Sequence, residues 1–361
     1  MPTLAGRSLF TIGNRSYVWE DLVAAGCLWG DWATLEERVR DGLICLARLD
    51  DLDEDDEDAL SEEDVETAAA EFRYARDLVA ADDLEAWLEQ RGLTIDSWLD
   101  FVRRSLLLER WAEDLDEIRE EYEADDDEVA ETMVCEAVCG GVARRLAERL
   151  AGRAAIHARA IEEAASSGVV ADDGAAASLA AAAVPDDQLK RFLPELAAKA
   201  RRERVAAVAS LEAAWRQFAE LVAALDALRG LIASRRLDWV RIATVSVVAP
   251  DEDVAKEIAL CVKEDRRPIE EVAEEAGLSA DSSEMWLEDV DEALRDALIG
   301  AQPGDVLGPL AWKEGHLVLT VGDKRLPSDD DAEVRARAEH VLLARTVERE
   351  VANRVTWHGT L

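Results

Sequence analysis

Hydrophobic positions recur every three or four residues along most of the chain. The continuous or alternating apolar runs that mark strands are concentrated in one stretch, 237–327. It opens with LDWVRIATVSVVA (237–249), β-branched and closed by Pro250, which reads as a buried strand. Two acidic amphipathic helices follow, over 252–265 and 268–276. A short apolar segment, Met285-Trp286-Leu287, comes next, then a helix over 290–299. The turn QPGDVLGP (302–309) leads into LAWKEGHLVLTV (310–321), which reads as a hairpin. Strand, helix pair, short strand, helix and hairpin make a compact α/β module.

Upstream the period is helical. A helix is predicted over 17–31, carrying Val18, Leu22, Val23 and Trp29. Thr34 caps a second, through 49, with Leu35, Val39, Leu43, Ile44 and Leu46 on its apolar side. Ser61-Glu62-Glu63-Asp64 has the form of a capping box and opens a helix to 78. A short helix ends at Gly92, and Thr94 caps a long one that runs past Tyr122. A helix or helix pair over 128–164 is interrupted at Gly140-Gly141. Residues 165–187, rich in Ala, Ser, Gly and Asp, read as a flexible connector. From 187 a long helix runs to about 234, kinked at Pro194. Within it Val208, Leu211, Trp215, Phe218, Val222 and Leu225 form an a/d seam. Packing of an α-hairpin arm within the chain is the ordinary reading; a homodimer through 208–225 is the alternative. A last helix is expected over 329–354. The predicted class is α+β and predominantly helical, divided at 1–125, 126–236, 237–327 and 328–361.

Charge narrows the functional classes. The 361 residues carry 80 acids against 41 bases, a formal net charge of −39. That field repels phosphate backbones and anionic bilayers, so neither nucleic acid nor membrane is an expected partner, whereas cationic peptides are attracted. The acids also solubilise a helix-rich surface. The run at 50–58, eight acids in nine residues, reads as a solvated linker. It lacks the spaced ligands and mid-loop glycine of a calcium loop. No run of about 18 apolar residues occurs, and the opening residues lack the apolar core of a signal peptide. Five scattered cysteines fit reduced thiols, and the expected location is the cytoplasm.

Little in the chain points to catalysis. There is no phosphate loop, nucleophile elbow or HExxH pattern, and only four histidines. Cys135 and Cys139 share one helical face at i, i+4, with His157 further on; soft ligands at that spacing bind zinc or haem iron. Small buried cysteines are equally common in helix cores. No cofactor is expected, and a metal- or haem-dependent enzyme using these residues is the most distant alternative.

The GDVLGP turn and the GHLVLTV strand, with Ala297, Gly304, Pro309, Gly315 and His316 in order, resemble the end of a parvulin-type peptidyl-prolyl isomerase domain. The run 255–276 resembles that family's helical pair. Two features depart from it: no histidine lies in 237–249, and 282–288 reads SSEMWLE where the family has a glycine-rich turn. The module therefore resembles a degenerate parvulin. EFR (71–73), WL (87–88), GLTIDSWLDFVR (92–103) and LERW (108–111) resemble the helical N-terminal domain of SurA-like chaperones. In that family a C-terminal helix completes the lobe, a part that 328–361 would play here. The whole sequence is also similar to parvulin-related peptide-maturation proteins encoded beside ribosomally made peptide natural products.

The resemblance implies a SurA-like lobe joined to a parvulin-like domain, and a protein that holds an extended or precursor peptide, with a peptide-modifying enzyme as a further partner. An active prolyl isomerase is the alternative, and His316 would then be its catalytic residue. Met285, Trp286, Leu287, Leu298 and Trp312 are the candidates for an apolar peptide-binding wall.

Overall fold

A computed structural model describes residues 4–52, 59–167, 174–222, 224–313 and 315–359. The core of the acidic run and the middle of the connector, 53–58 and 168–173, lie outside the described residues. The chain is α+β and mostly helical, with two small antiparallel sheets among the described residues. It divides into two compact units, Met1–Ala219 with Thr346–Leu361, and Glu220–Arg345.

The larger unit begins with a hairpin, β1 (Ser8–Ile12) and β2 (Arg15–Val18), and continues through α1 (Trp19–Trp29) and α2 (Asp31–Asp50). Next come α3 (Glu62–Tyr74), α4 (Ala81–Gln90), α5 (Ile95–Arg110) and α6 (Leu115–Glu121). Then follow α7 (Asp126–Cys139), α8 (Val142–Ser167), α9 (Gly174–Ala183), α10 (Asp186–Phe192) and α11 (Ala198–Val222). The caps are local chemistry. The Ser61 hydroxyl accepts from the Asp64 N–H at 3.1 Å while the Asp64 carboxylate accepts from the Ser61 N–H. Thr94 accepts in the same way from the Ser97 N–H.

Three of the predicted helices differ. The first starts at Trp19, because the residues before it pair as the hairpin. The long helix from Thr94 ends at Arg110, and a turn closed by the Asp114 N–H on the Trp111 carbonyl separates it from α6. The helix over 187–234 is three helices. Leu193, which precedes Pro194, has a non-helical backbone, as proline imposes on its predecessor.

Helices α2, α5 and α7 meet around a buried ion pair. Glu136 on α7 is 1% exposed and receives the Arg104 guanidinium of α5, itself 3% exposed, at 3.2 Å. Gly42 on α2 lets the helices approach: a Cβ there would fall 2.8 Å from the Arg104 Cδ. Val208 and Leu211 of the predicted seam are buried in the unit's main core. Trp215 stacks under the Arg153 guanidinium of α8 at 3.7 Å, and the Phe218 ring lies 5.8 Å from that of Arg159. The seam is thus largely packed within the chain; the Leu225 side chain lies outside the described residues.

The smaller unit contains α12 (Leu225–Ser234), β3 (Arg241–Ala249), α13 (Glu252–Glu264), α14 (Ile269–Glu275) and β4 (Asp281–Trp286). After a 3-10 turn, Leu287–Asp289, come α15 (Glu292–Gly300), β5 (Val306–Trp312) and β6 (Gly315–Arg325). The strands form one antiparallel sheet in the order β4-β3-β6-β5. Alternation along the strands gives it two apolar faces. On one, Val247, Ala249 and Val318 pack against α13 and α14; on the other, Ile242, Leu317 and Leu319 pack against Leu294 and Leu298 of α15. Gly308 permits the tight β5–β6 pairing, since its φ is 121° and a Cβ would sit 2.5 Å from the Leu317 carbonyl oxygen. The last helix, α16 (Ala332–Arg354), starts in this unit, where Val334 and Ala338 cover Trp239. Its end belongs to the larger unit, as does β7 (Val355–Trp357), which pairs antiparallel with β1.

Candidate functional site

One concavity of the smaller unit is a cavity of about 1100 Å³ between the α13–α14 connection and the end of the sheet where β5 begins. That is at the upper end of the roughly 300–1,000 Å³ typical of ligand sites. Its floor is sheet: Val245, Thr320 and Gly322 face it, and the Thr320 hydroxyl donates to the Val245 carbonyl at 3.4 Å. Val306, half-buried, supplies an apolar side, with the buried Val262 and Ile269 behind it. Glu270 and Asp305 also line it, and the Asp305 carboxylate is occupied by the Gln302 N–H at 2.7 Å.

Three cations, Lys263, Arg266 and Arg267, line the side formed by the connection. Arg267 holds Glu275 in a two-point ion pair, Nη1 to Oε2 at 2.8 Å, and its hydrogen bond and charge keep the Glu275 carboxyl below the usual range. The described residues place no carboxylate in ion-pair contact with Lys263 or Arg266, whereas Lys256, a few residues upstream, is paired with Glu252 at 2.9 Å. Arg266 follows the Asp265 cap of α13 with φ 54°. This left-handed position is the usual place of glycine or asparagine after a helix, and a long side chain there costs about 1–2 kcal/mol.

The residues predicted to form a peptide-binding wall are divided between the two faces of the sheet. Met285, Leu287, Leu298 and Trp312 gather at the core between the sheet and α15. Leu287 and Leu298 are 5% and 0% exposed, so they back that face rather than line an opening. Trp286 points the other way, packs with the cluster around Trp239, and lies between the Arg241 and Arg337 guanidinium groups at 5.2 and 4.8 Å. His316 pairs in register with Ala249 and Ala311. Like Val318 two residues on, it faces the α13 side, away from Trp312. There it adds weakly to the effect of Lys256 in holding the Glu252 carboxyl below its ordinary value. The sheet therefore does not bring His316 and Trp286 to the same pocket as Leu298 and Trp312.

Cys135 and Cys139 do meet. Their sulfurs lie 3.8 Å apart in the cluster of Phe72, Trp98 and Phe101, and the Cys135 thiol donates to the Ser97 carbonyl at 3.2 Å. The Cys135 hydrogen bond together with burial pushes the Cys139 thiol up, so it stays protonated. His157 is on α8, where burial and then Arg15 lower its pKa. Among the described residues no three His, Cys, Asp or Glu side chains converge to hold a metal. Nor is any described helix long and apolar enough to cross a membrane.

The cavity was not singled out from the sequence. Its signal was there: a helix whose C-terminal residues read Asp265-Arg266-Arg267-Pro268, with arginine where glycine usually ends a helix. No family model and no curated protein matches the chain.

Proposed function

We propose that the chain is a peptide-binding, chaperone-like protein of SurA and parvulin type, which holds an extended or precursor peptide rather than transforming it. The observation that carries this reading is the order of parts. A strand, helix pair, strand, helix and hairpin are set as an insert between the helices of a larger unit, whose first and last strands pair with each other. That is the organisation the resemblance implies. The −39 net charge would draw the cationic segments of such a peptide toward the surface.

Binding is favoured over prolyl isomerisation by the placement of His316, which faces α13 opposite the core where Leu298 and Trp312 lie. Isomerisation needs a pocket that twists and desolvates an amide whose barrier is about 18–20 kcal/mol. The test pairs two assays on the full chain. A panel of short peptides with X-Pro bonds should show no acceleration of cis/trans exchange, and the same protein should suppress aggregation of a reduced, unfolded client. Acceleration that His316→Ala removes would replace this reading with the isomerase, and failure to hold any client would end the chaperone-like one.

A further inference from the structure

We infer that the cavity beside the α13–α14 connection binds an acidic peptide segment: an extended stretch with a carboxylate next to an apolar side chain. This rests on the peptide-binding reading and assigns that function a ligand chemistry and a place.

The argument starts from charge. In a chain with about two acids for every base, surface cations find carboxylates readily, and most arginines here are in ion pairs. Lys263 and Arg266 are exposed and line the cavity beside Glu270 and Asp305, and among the described residues neither is in ion-pair contact with a carboxylate. Arg266 is held there against its own backbone preference, at φ 54°. Glycine would occupy that position without strain, so an arginine there carries a cost in stability. Such an unfavourable position for a bulky cation is accounted for if the partner of the guanidinium arrives from outside.

The walls define the rest of the ligand. Half-buried Val245 and Val306 form an apolar surface near the cations, backed by the buried Val262 and Ile269. At about 1100 Å³ the space takes several residues rather than an inorganic anion. A carboxylate held by Lys263 and Arg266, with its apolar neighbour on Val306 and Val245, uses both features. The chain as a whole repels anions, so the recognised acid would belong to a peptide of low net charge, drawn in by its basic part and fixed by its acidic one.

The test measures binding of short fluorescent peptides, of net charge zero to +2, to the full chain. One carries a central glutamate between leucines, its twin carries glutamine, and each is made with a free and an amidated C-terminus. The glutamate or free-acid peptide should bind about tenfold tighter than its neutral twin. Arg266→Gly and Lys263→Gln should each remove most of that preference. Arg266→Gly should also raise the Tm, which shows that the loss is not unfolding. A preference following the chain end instead of the side chain would support the assignment and name the C-terminal carboxylate as its source. Equal binding of all four peptides, unaffected by either variant, would overturn the assignment and leave peptide binding intact. No binding of any peptide would overturn both.

Discussion

Replacing Glu136 by alanine should destabilise the larger unit more than any surface change. The Glu136 carboxylate accepts from Arg104 at 3.2 and 3.4 Å through one oxygen and from Arg38 at 3.1 Å through the other. Arg38 is half-exposed, so its share is small, about 0–1 kcal/mol. Arg104 has no such outlet: its side chain is 4% exposed, and its stem lies against Gly42 with no room to swing out. Removing Glu136 therefore leaves a buried guanidinium without its counter-charge, an effect of about 3–5 kcal/mol. Domains have a total stability of about 5–15 kcal/mol, so roughly a fifth or more would be lost. Replacing both partners by apolar residues, Arg104→Met with Glu136→Leu, removes the stranded charge and should recover most of the loss. Hydrogen exchange read on α5 and α7 reports this unit without interference from the other. A single-variant loss below about 1 kcal/mol, or a double variant no better than the single, would refute the reasoning.

Other predictions concern titration and thiols. Burial alone would raise the Glu350 carboxyl, but the Arg354 hydrogen bond and the charges of Arg159, Arg354 and Arg349 outweigh it, so the group sits below the usual range. A depressed folded value gives stability that is complete above the unfolded pKa, about 4.3, and is lost as pH falls through the lower folded one. Glu350→Gln should flatten that acid-side slope in urea titrations, and identical slopes would contradict it. Burial, aided by Glu36, pushes the Cys27 thiol up to about 12, and burial with Asp41 pushes Cys45 to about 11. Only Cys261 is partly exposed, so iodoacetamide at mildly alkaline pH should label the native chain once, at Cys261, by peptide mapping; modification of Cys27 would show that its site opens.

The smaller unit was legible because its signals are local. Pro250 ends a β-branched run, Asp251 caps α13, and Gln302-Pro303-Gly304-Asp305 separates α15 from the hairpin, whose first strand takes in the rest of the predicted turn. The larger unit was read less well where the deciding contacts are distant. The Ile12-Gly13-Asn14-Arg15 turn is an ordinary hairpin signal, but β1 is completed by β7 from the far end of the chain, and no local pattern shows that. The break after Arg110 has no glycine or proline to mark it; burial of Trp111 against the core decides it. The proposed wall went astray by one pleat. Met285 and Trp286 were assigned to one wall, yet strand alternation puts them on opposite faces, and a single-residue offset reverses every such assignment.

The pairing of β7 with β1 also sets an order of events during synthesis. The smaller unit is encoded between the two parts of the larger one, so the ribosome makes all of it before β7 exists. The insert can then fold while the larger unit still lacks a strand. Until then the Phe10 face of β1, which Trp357 later covers, is available to other chains, and closing a contact across so much sequence is slow. On the proposed peptide-binding reading, the chain would thus pass through a stage in which it needs the same protection itself.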